Sequence, residues 1–221
     1  MGLRELKKEQ TRQLIADTAW RLFGDRGFEQ VSVAEVAREA QVAEATVYNY
    51  FATKEDLFFW RLEAFGTRLA EAVATRPVGE SAIAAFRRAL IGEDGLLAQV
   101  EQGDIQALAR LRTVSQLITD SPALQAREQQ VLSQAGSMLA SVLAADTRAA
   151  PGDLRPQVTA NALVGAQRAL VDHVRVRVLG GGNLAGLPAE VRERAADAFE
   201  LLELGLRDYA AKPAATPDRT G

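Results

Sequence analysis

Apolar residues recur at helical spacing along nearly the whole 221-residue chain, and no stretch alternates as a half-buried strand. That periodicity confines the fold to the all-α class. A first helix is expected over about 11–26, with Leu14, Ile15, Thr18, Ala19, Leu22 and Phe23 on one face and Gly27 placed to cap its end. Residues 1–10 read as a loose polar arm. A short second helix opens at Ser32, where Ser32 and Glu35 form a capping-box pattern and Val33, Val36 and Ala37 face inward. A gap over 40–43 leads to a third helix at about 44–50. Thr53 and Asp56 repeat the capping-box pattern and open a long helix to about Arg76, which Pro77 stops.

The remainder is helical too. Helices are expected over 80–91 and 96–101, separated by GEDG at 92–95, and over 104–119. Ser121 and Pro122 supply a serine cap with proline at the first helical position, for a helix to about 146. APGD at 150–153 is a turn, and a long helix follows over 154–179. GGGNLAG connects it to a last helix that Pro188 opens and that runs to about 211, before a disordered-looking tail. The chain therefore divides into an arm and three helices (1–53), a helical bundle (54–211) and a tail (212–221), with no internal repeat.

Several functions are excluded by composition. With 48% hydrophobic and 25% charged residues the chain is an ordinary globular protein. It has no cysteine and one histidine, His173, so thiol chemistry and a multi-histidine metal site are ruled out. No nucleophile elbow, phosphate loop or dinucleotide fingerprint is present, so neither an enzyme nor a bound cofactor is expected. The net charge of −3 leaves room for nucleic acid only at a local basic patch. The amino terminus is polar, and no apolar run approaches the ~20 residues of a membrane span, so a cytoplasmic protein with no membrane partner is expected.

Two short helices joined by a tight gap, behind a longer helix, match the helix-turn-helix plan. Two of the three tyrosines, Tyr48 and Tyr50, sit on its third helix. If Val42, Val47 and Phe51 turn inward, then Glu44, Ala45, Thr46, Tyr48, Asn49 and Tyr50 lie on the outer parts. Tyrosine hydroxyls bond phosphates or base edges, and small residues at the helix start let the backbone approach a groove. Lys54 and the free N–H groups at Ser32 and at the start of the next helix add anion-binding capacity. The alternative, that either tyrosine is a half-buried packing residue, stays open.

Residues 11–58 resemble the DNA-binding domain of the TetR family of bacterial transcriptional regulators. The resemblance rests on Leu22-Phe23, Arg26-Gly27-Phe28, Ser32-Val33, Val36-Ala37, Ala40, Val42, Thr46-Val47-Tyr48, Tyr50-Phe51, Lys54 and Leu57. It implies that Ser32 and Lys54 hold phosphates. It also implies that Ala34 faces the groove, that Glu44, Ala45, Thr46, Tyr48 and Tyr50 lie against bases and backbone, and that Arg4, Lys7, Lys8 and Arg12 lie near the flanking DNA. Two departures stand out. Gln41 replaces the usual turn glycine, and Ala43 replaces the usual serine cap. Glu44 either accepts from a cytosine amino group or favours the positive helix end. The third helix carries no Lys or Arg, which predicts a modest salt dependence of binding.

The helix at 154–179 is apolar almost all round, through Val158, Ala162, Leu163, Val164, Ala166, Ala169, Leu170, Val171, Val174 and Val178. The last helix carries a stripe of Val191, Ala195, Ala198, Phe199, Leu202, Leu206 and Tyr209. The surplus points to a homodimer through these two helices, the alternative being one large intrachain core. A two-fold dimer reads half-sites about 34–36 Å apart on a near-palindromic operator of double-stranded DNA. The resemblance further implies a small-molecule effector pocket, with Phe58, Phe65, Phe86, Arg112, Gln116, Met138, Asn161 and Gln167 as candidate contacts. The plainer reading, aromatics in the core with Arg112 and His173 at the surface, stays open. The expected function is a repressor released by its effector. An activator, or a DNA-binding or interaction module without effector, remains the alternative.

Overall fold

The computed structural model describes residues 2–92, 97, 100 and 105–206. Of the helix expected over 96–101 only residues 97 and 100 are described; the last helix beyond 206 with Tyr209 and the tail lie outside the described residues. The helices are α1 (Leu3–Arg26), α2 (Val33–Glu39), α3 (Glu44–Tyr50), α4 (Lys54–Ala74), α5 (Ala82–Ile91), α6 (Ile105–Asp120), α7 (Pro122–Thr147), α8 (Arg155–Gly180) and α9 (Leu187–Leu206). No strand occurs among the described residues.

Local chemistry sets several helix ends. Ser32 accepts from the Glu35 N–H while Glu35 accepts from the Ser32 N–H, a complete capping box. Thr53 and Asp56 do the same for α4, at 3.2 and 3.0 Å. Ser121 Oγ accepts the Leu124 N–H at 3.3 Å to start α7. Gly27, at φ +88°, ends α1 with its N–H on the Phe23 carbonyl. The expected loose arm is instead helix, since α1 begins at Leu3. Its sequence LRELKKEQ is made of strong helix formers and lacks an interior breaker, so helix simply propagates back to Gly2.

The chain forms two compact units, Met1–Ala64 with Arg112–Val131, and Phe65–Leu111 with Leu132–Gly221. The first unit takes in residues 54–64 and 112–131, which the sequence pattern places in the second domain. The reason is packing. Leu57, Phe58 and Phe59 of α4, Ile118 of α6 and Leu124 of α7 join Ile15, Leu22, Phe23, Val36, Val47 and Phe51 in one buried core. Phe58 is its centre, stacked on Trp20 at 4.9 Å and edge-on to Phe28 and Phe59 at 6.1 and 5.1 Å. Trp20 Nε1 also donates to the Phe58 carbonyl at 3.1 Å. Leu14, expected on the inner face, is 52% exposed, because the inward stripe of α1 runs through Ile15, Ala16, Ala19, Leu22 and Phe23.

The second unit packs α8 and α9 against α5, with Leu163, Leu170, Val174, Val178, Leu187, Val191, Ala195 and Phe199 buried. Its polar staple is Arg76, whose side chain is fully buried. The guanidinium donates to the Val73 and Glu80 carbonyls at 2.7 and 3.0 Å and pairs with Asp146. A buried charge with every side answered in this way fixes the chain where α4 ends and α5 approaches.

Candidate nucleic-acid interface

The helix-turn-helix consists of α2, a tight turn and α3. The turn passes through Gln41 at φ +56°, a left-handed conformation that a non-glycine side chain adopts at a cost. Two hydrogen bonds hold it: Gln41 N–H to the Arg38 carbonyl at 3.2 Å and Val42 N–H to the Ala37 carbonyl at 2.9 Å. Ala43 then caps α3 in extended conformation with no side-chain hydrogen bond. Both departures noted in the sequence thus have a physical form.

Val47 and Phe51 are buried and Val42 half-buried, so α3 is pinned on one side. Its other side presents Glu44, Ala45, Asn49 and Tyr48 to solvent, with Tyr48 50% exposed. Thr46 and Tyr50 are half-buried, and Tyr50 packs against the core of its unit. Ala34, on α2, is exposed. Ser32 is exposed, but its hydroxyl is engaged with Glu35, whose carboxyl lies below its usual range chiefly through the Ser32 hydrogen bonds, with Arg26 and Arg38 adding attraction. Lys54 projects its ammonium over the Phe28 ring at 4.2 Å. Burial draws its pKa below the ordinary lysine value, against the pull of Glu29, Glu55 and Glu35. Lys7 and Lys8 are exposed on the first turns of α1. Arg12 is a different case. It is half-buried, with its guanidinium over Phe51 and Trp60 at 5.4 and 5.7 Å, so it packs the unit from within.

The eight residues named for an effector pocket do not come together as one set. Phe58, Arg112 and Gln116 belong to the first unit, and Phe65, Phe86, Met138, Asn161 and Gln167 to the second. Phe58 is the aromatic centre of its core, as described above. Arg112 is exposed, and Gln116 is exposed with its amide on Asp120. Phe86 is buried against Phe199 at 6.2 Å, Phe65 is half-buried under Arg68, Met138 is 40% exposed, and exposed Asn161 accepts from Gln157. Gln167 stands apart. It is buried on α8, and its Oε1 has no hydrogen-bond donor. Helical periodicity singles out residues that face inward, but it does not separate a packed core from a cavity. A cleft of about 460 Å³ that the sequence did not suggest opens in the second unit, between the start of α5 (Ser81, Ile83, Ala84) and Glu200, Glu203 and Leu204 of α9. His173 Nε2 lies 2.9 Å from Glu190, which Arg177 also holds.

The same residues carry the relationship to known proteins. The family model described as bacterial regulatory proteins of the tetR family matches residues 15–59, and the model described as the MftR C-terminal domain matches residues 80–207. The transcriptional regulator TcmR of Streptomyces glaucescens is 31% identical over 115 residues, which is 50% of this chain and 51% of TcmR. AcrR of Shigella flexneri is 41% identical over 63 residues, 27% of this chain and 29% of AcrR. The chain thus spans about half of TcmR and less than a third of AcrR. The fold is shared with SmeT, solved as a triclosan complex, at a TM-score of 0.55 and 15% identity, over 96% of this chain and 99% of that one. With a helix-turn-helix head at one end and a matching helical domain over more than half its length, the chain belongs to the TetR family of bacterial transcriptional regulators.

Proposed function

We propose that the protein is a cytoplasmic, homodimeric repressor that binds a near-palindromic operator and is released by a small-molecule effector. The observation that carries the DNA reading is the division of α3. Val47 and Phe51 anchor one side in the core, while Glu44, Ala45, Tyr48 and Asn49 stand free on the other. In this reading Tyr48, Asn49 and the small residues meet base edges. Ser32, Lys54, Lys7 and Lys8 border the phosphates, Ala34 faces the groove, and Thr46 and Tyr50 lie against bases and backbone. Few cations take part, so affinity falls only gently with salt.

Dimerisation is supported by the second face of α8 and α9. Val158 and Val176 are 57% and 70% exposed, and Leu201 and Leu204 are 71% and 65% exposed. Two such helices from each protomer make a four-helix interface. The effector reading is supported by Gln167. A buried acceptor without a donor is uncommon in a finished core, and a ligand hydroxyl or amide would satisfy it. Ligand binding biases the head only so far as the effector prefers one of two conformations.

Fluorescence anisotropy on DNA upstream of the protein's own gene, against scrambled competitor, tests the reading. Tyr48→Phe with Lys54→Ala is expected to weaken binding roughly tenfold or more while the protein stays folded and dimeric. Unchanged affinity would remove these residues from the interface. Thermal-shift screening tests the effector: a ligand at 100 times its Kd adds about 2.7 kcal/mol of stability.

A further inference from the structure

Arg127 lies on α7, far in sequence from the head, yet it meets two carboxylates of α4. Its Nη2 is 2.9 Å from Asp56 Oδ1 and 2.6 Å from Glu63 Oε1. The arginine and Asp56 are 18% and 19% exposed, so this is a largely desolvated pairing and not a surface contact. The same Asp56 carboxylate has a second task. Its Oδ2 accepts the Thr53 N–H at 3.0 Å and so closes the capping box that begins α4. One carboxylate is therefore shared between the α3–α4 junction and α7.

The surroundings reinforce the tie. Phe51, which ends α3, meets Trp60 edge-on at 6.5 Å, and Arg12 covers both rings. Burial pushes the Glu63 carboxyl up, and Asp56 adds to this, while Arg127 and Arg12 pull it down. Without Arg127, two carboxylates on one side of α4, about two turns apart, would lie together with less compensation. The start of α7 is itself held to the head: Ser121 Oγ donates to Glu29 at 2.5 Å, and Leu124 is fully buried. From residue 132 onward α7 belongs to the second unit.

We propose that Arg127 is the positioning residue through which α7 sets the α3–α4 junction, and with it the readiness of α3 to engage DNA. A movement of α7 that draws the guanidinium from Asp56 loosens the cap at Thr53, three residues beyond the end of the reading helix. The inference rests on α3 being the DNA-reading element. Its test therefore has one arm without DNA.

In the first arm, hydrogen exchange of the Thr53 amide is followed in the full-length protein and in Arg127→Met, Arg127→Lys and Ile118→Ala. Ile118 is buried in the same core and carries no polar group that could hold the cap's hydrogen bonds, so its truncation reports a merely structural loss. The expected result is faster Thr53 exchange in Arg127→Met than in Ile118→Ala, once the latter is matched in Tm by temperature, with partial recovery in Arg127→Lys. Equal exchange in Arg127→Met and wild type, or equal exchange in Arg127→Met and the matched control, overturns the proposal. In the second arm, affinity is measured for a duplex selected from random DNA by the wild-type protein. Arg127→Met is expected to bind roughly 2- to 30-fold more weakly than the control, the range typical of a coupling residue. Wild-type affinity in Arg127→Met overturns the proposal. Recovery of no specific duplex by the wild type would contradict the DNA reading, and the exchange arm would still decide the role of Arg127.

Discussion

Gln41 and Ala43 show how single residues weaken a motif without abolishing it. Gln41 occupies a left-handed position that glycine fills without strain, and Ala43 leaves the N–H groups of α3 without a side-chain partner. Gln41→Gly and Ala43→Ser are each expected to raise stability by about 1 kcal/mol, read as a higher denaturant midpoint at constant m. A decrease for Gln41→Gly would mean that the turn is held by contacts of the glutamine itself. Glu35 offers a pH test. Its carboxyl is depressed mainly by the Ser32 hydrogen bonds, so its stabilising effect is present above the ordinary glutamate pKa of about 4.3 and is lost as pH falls through the lower folded value. The Tm gap between wild type and Glu35→Gln is therefore expected to be constant above about pH 5 and to close at more acid pH. These positions were legible because caps and turns are local chemistry. Arg12 was not. A cation lying on Phe51 and Trp60 leaves no periodic trace, and in the sequence it reads as one more basic residue of an arm.

Helices whose ends are written in short patterns were placed closely by the sequence, as with α2 between Ser32 and Ala40 and α3 between Ala43 and Phe51. The start of α1 differs from the expected loose arm because polarity alone does not signal looseness, and LRELKKEQ has high helix propensity. The sharing of α4, α6 and α7 between two cores was invisible for a different reason. It depends on which long-range partners Phe58, Ile118 and Leu124 find, and spacing along a helix does not specify partners. Arg76 is the clearest case. It reads as a charged residue before a helix-breaking proline, yet it is fully buried and answered by Val73, Glu80 and Asp146. Arg76→Ala is expected to destabilise the protein by about 3 kcal/mol, since it removes packing and leaves Asp146 without its cation. Chemical denaturation measures this. A loss well under 1 kcal/mol would show that water replaces the guanidinium at little cost.

The outward apolar faces of α8 and α9 give the assembly its rationale. The sequence signal was an excess of apolar residues over what one chain can hide, and the structure leaves Val158, Val176, Leu201 and Leu204 exposed. In the proposed dimer these residues are buried. Val158→Glu with Leu201→Glu is expected to give a folded monomer, with helical content retained and operator affinity lost because two half-sites are no longer held together. Sedimentation velocity and circular dichroism check both parts. The pocket is the least legible feature, because Phe86 packs on Phe199 where a binding aromatic is expected, and of the eight candidate contacts Gln167 alone has a buried polar atom without a hydrogen-bond partner. The claim on which the account turns is sequence-specific reading of DNA by paired α3 helices. Selection from random duplex DNA with the full-length protein, followed by sequencing, tests it most directly. A near-palindrome with half-sites about one helical turn apart, or a multiple of that spacing, is expected to be enriched. A pool that stays random, or one that converges on a single unpaired half-site, would contradict the claim.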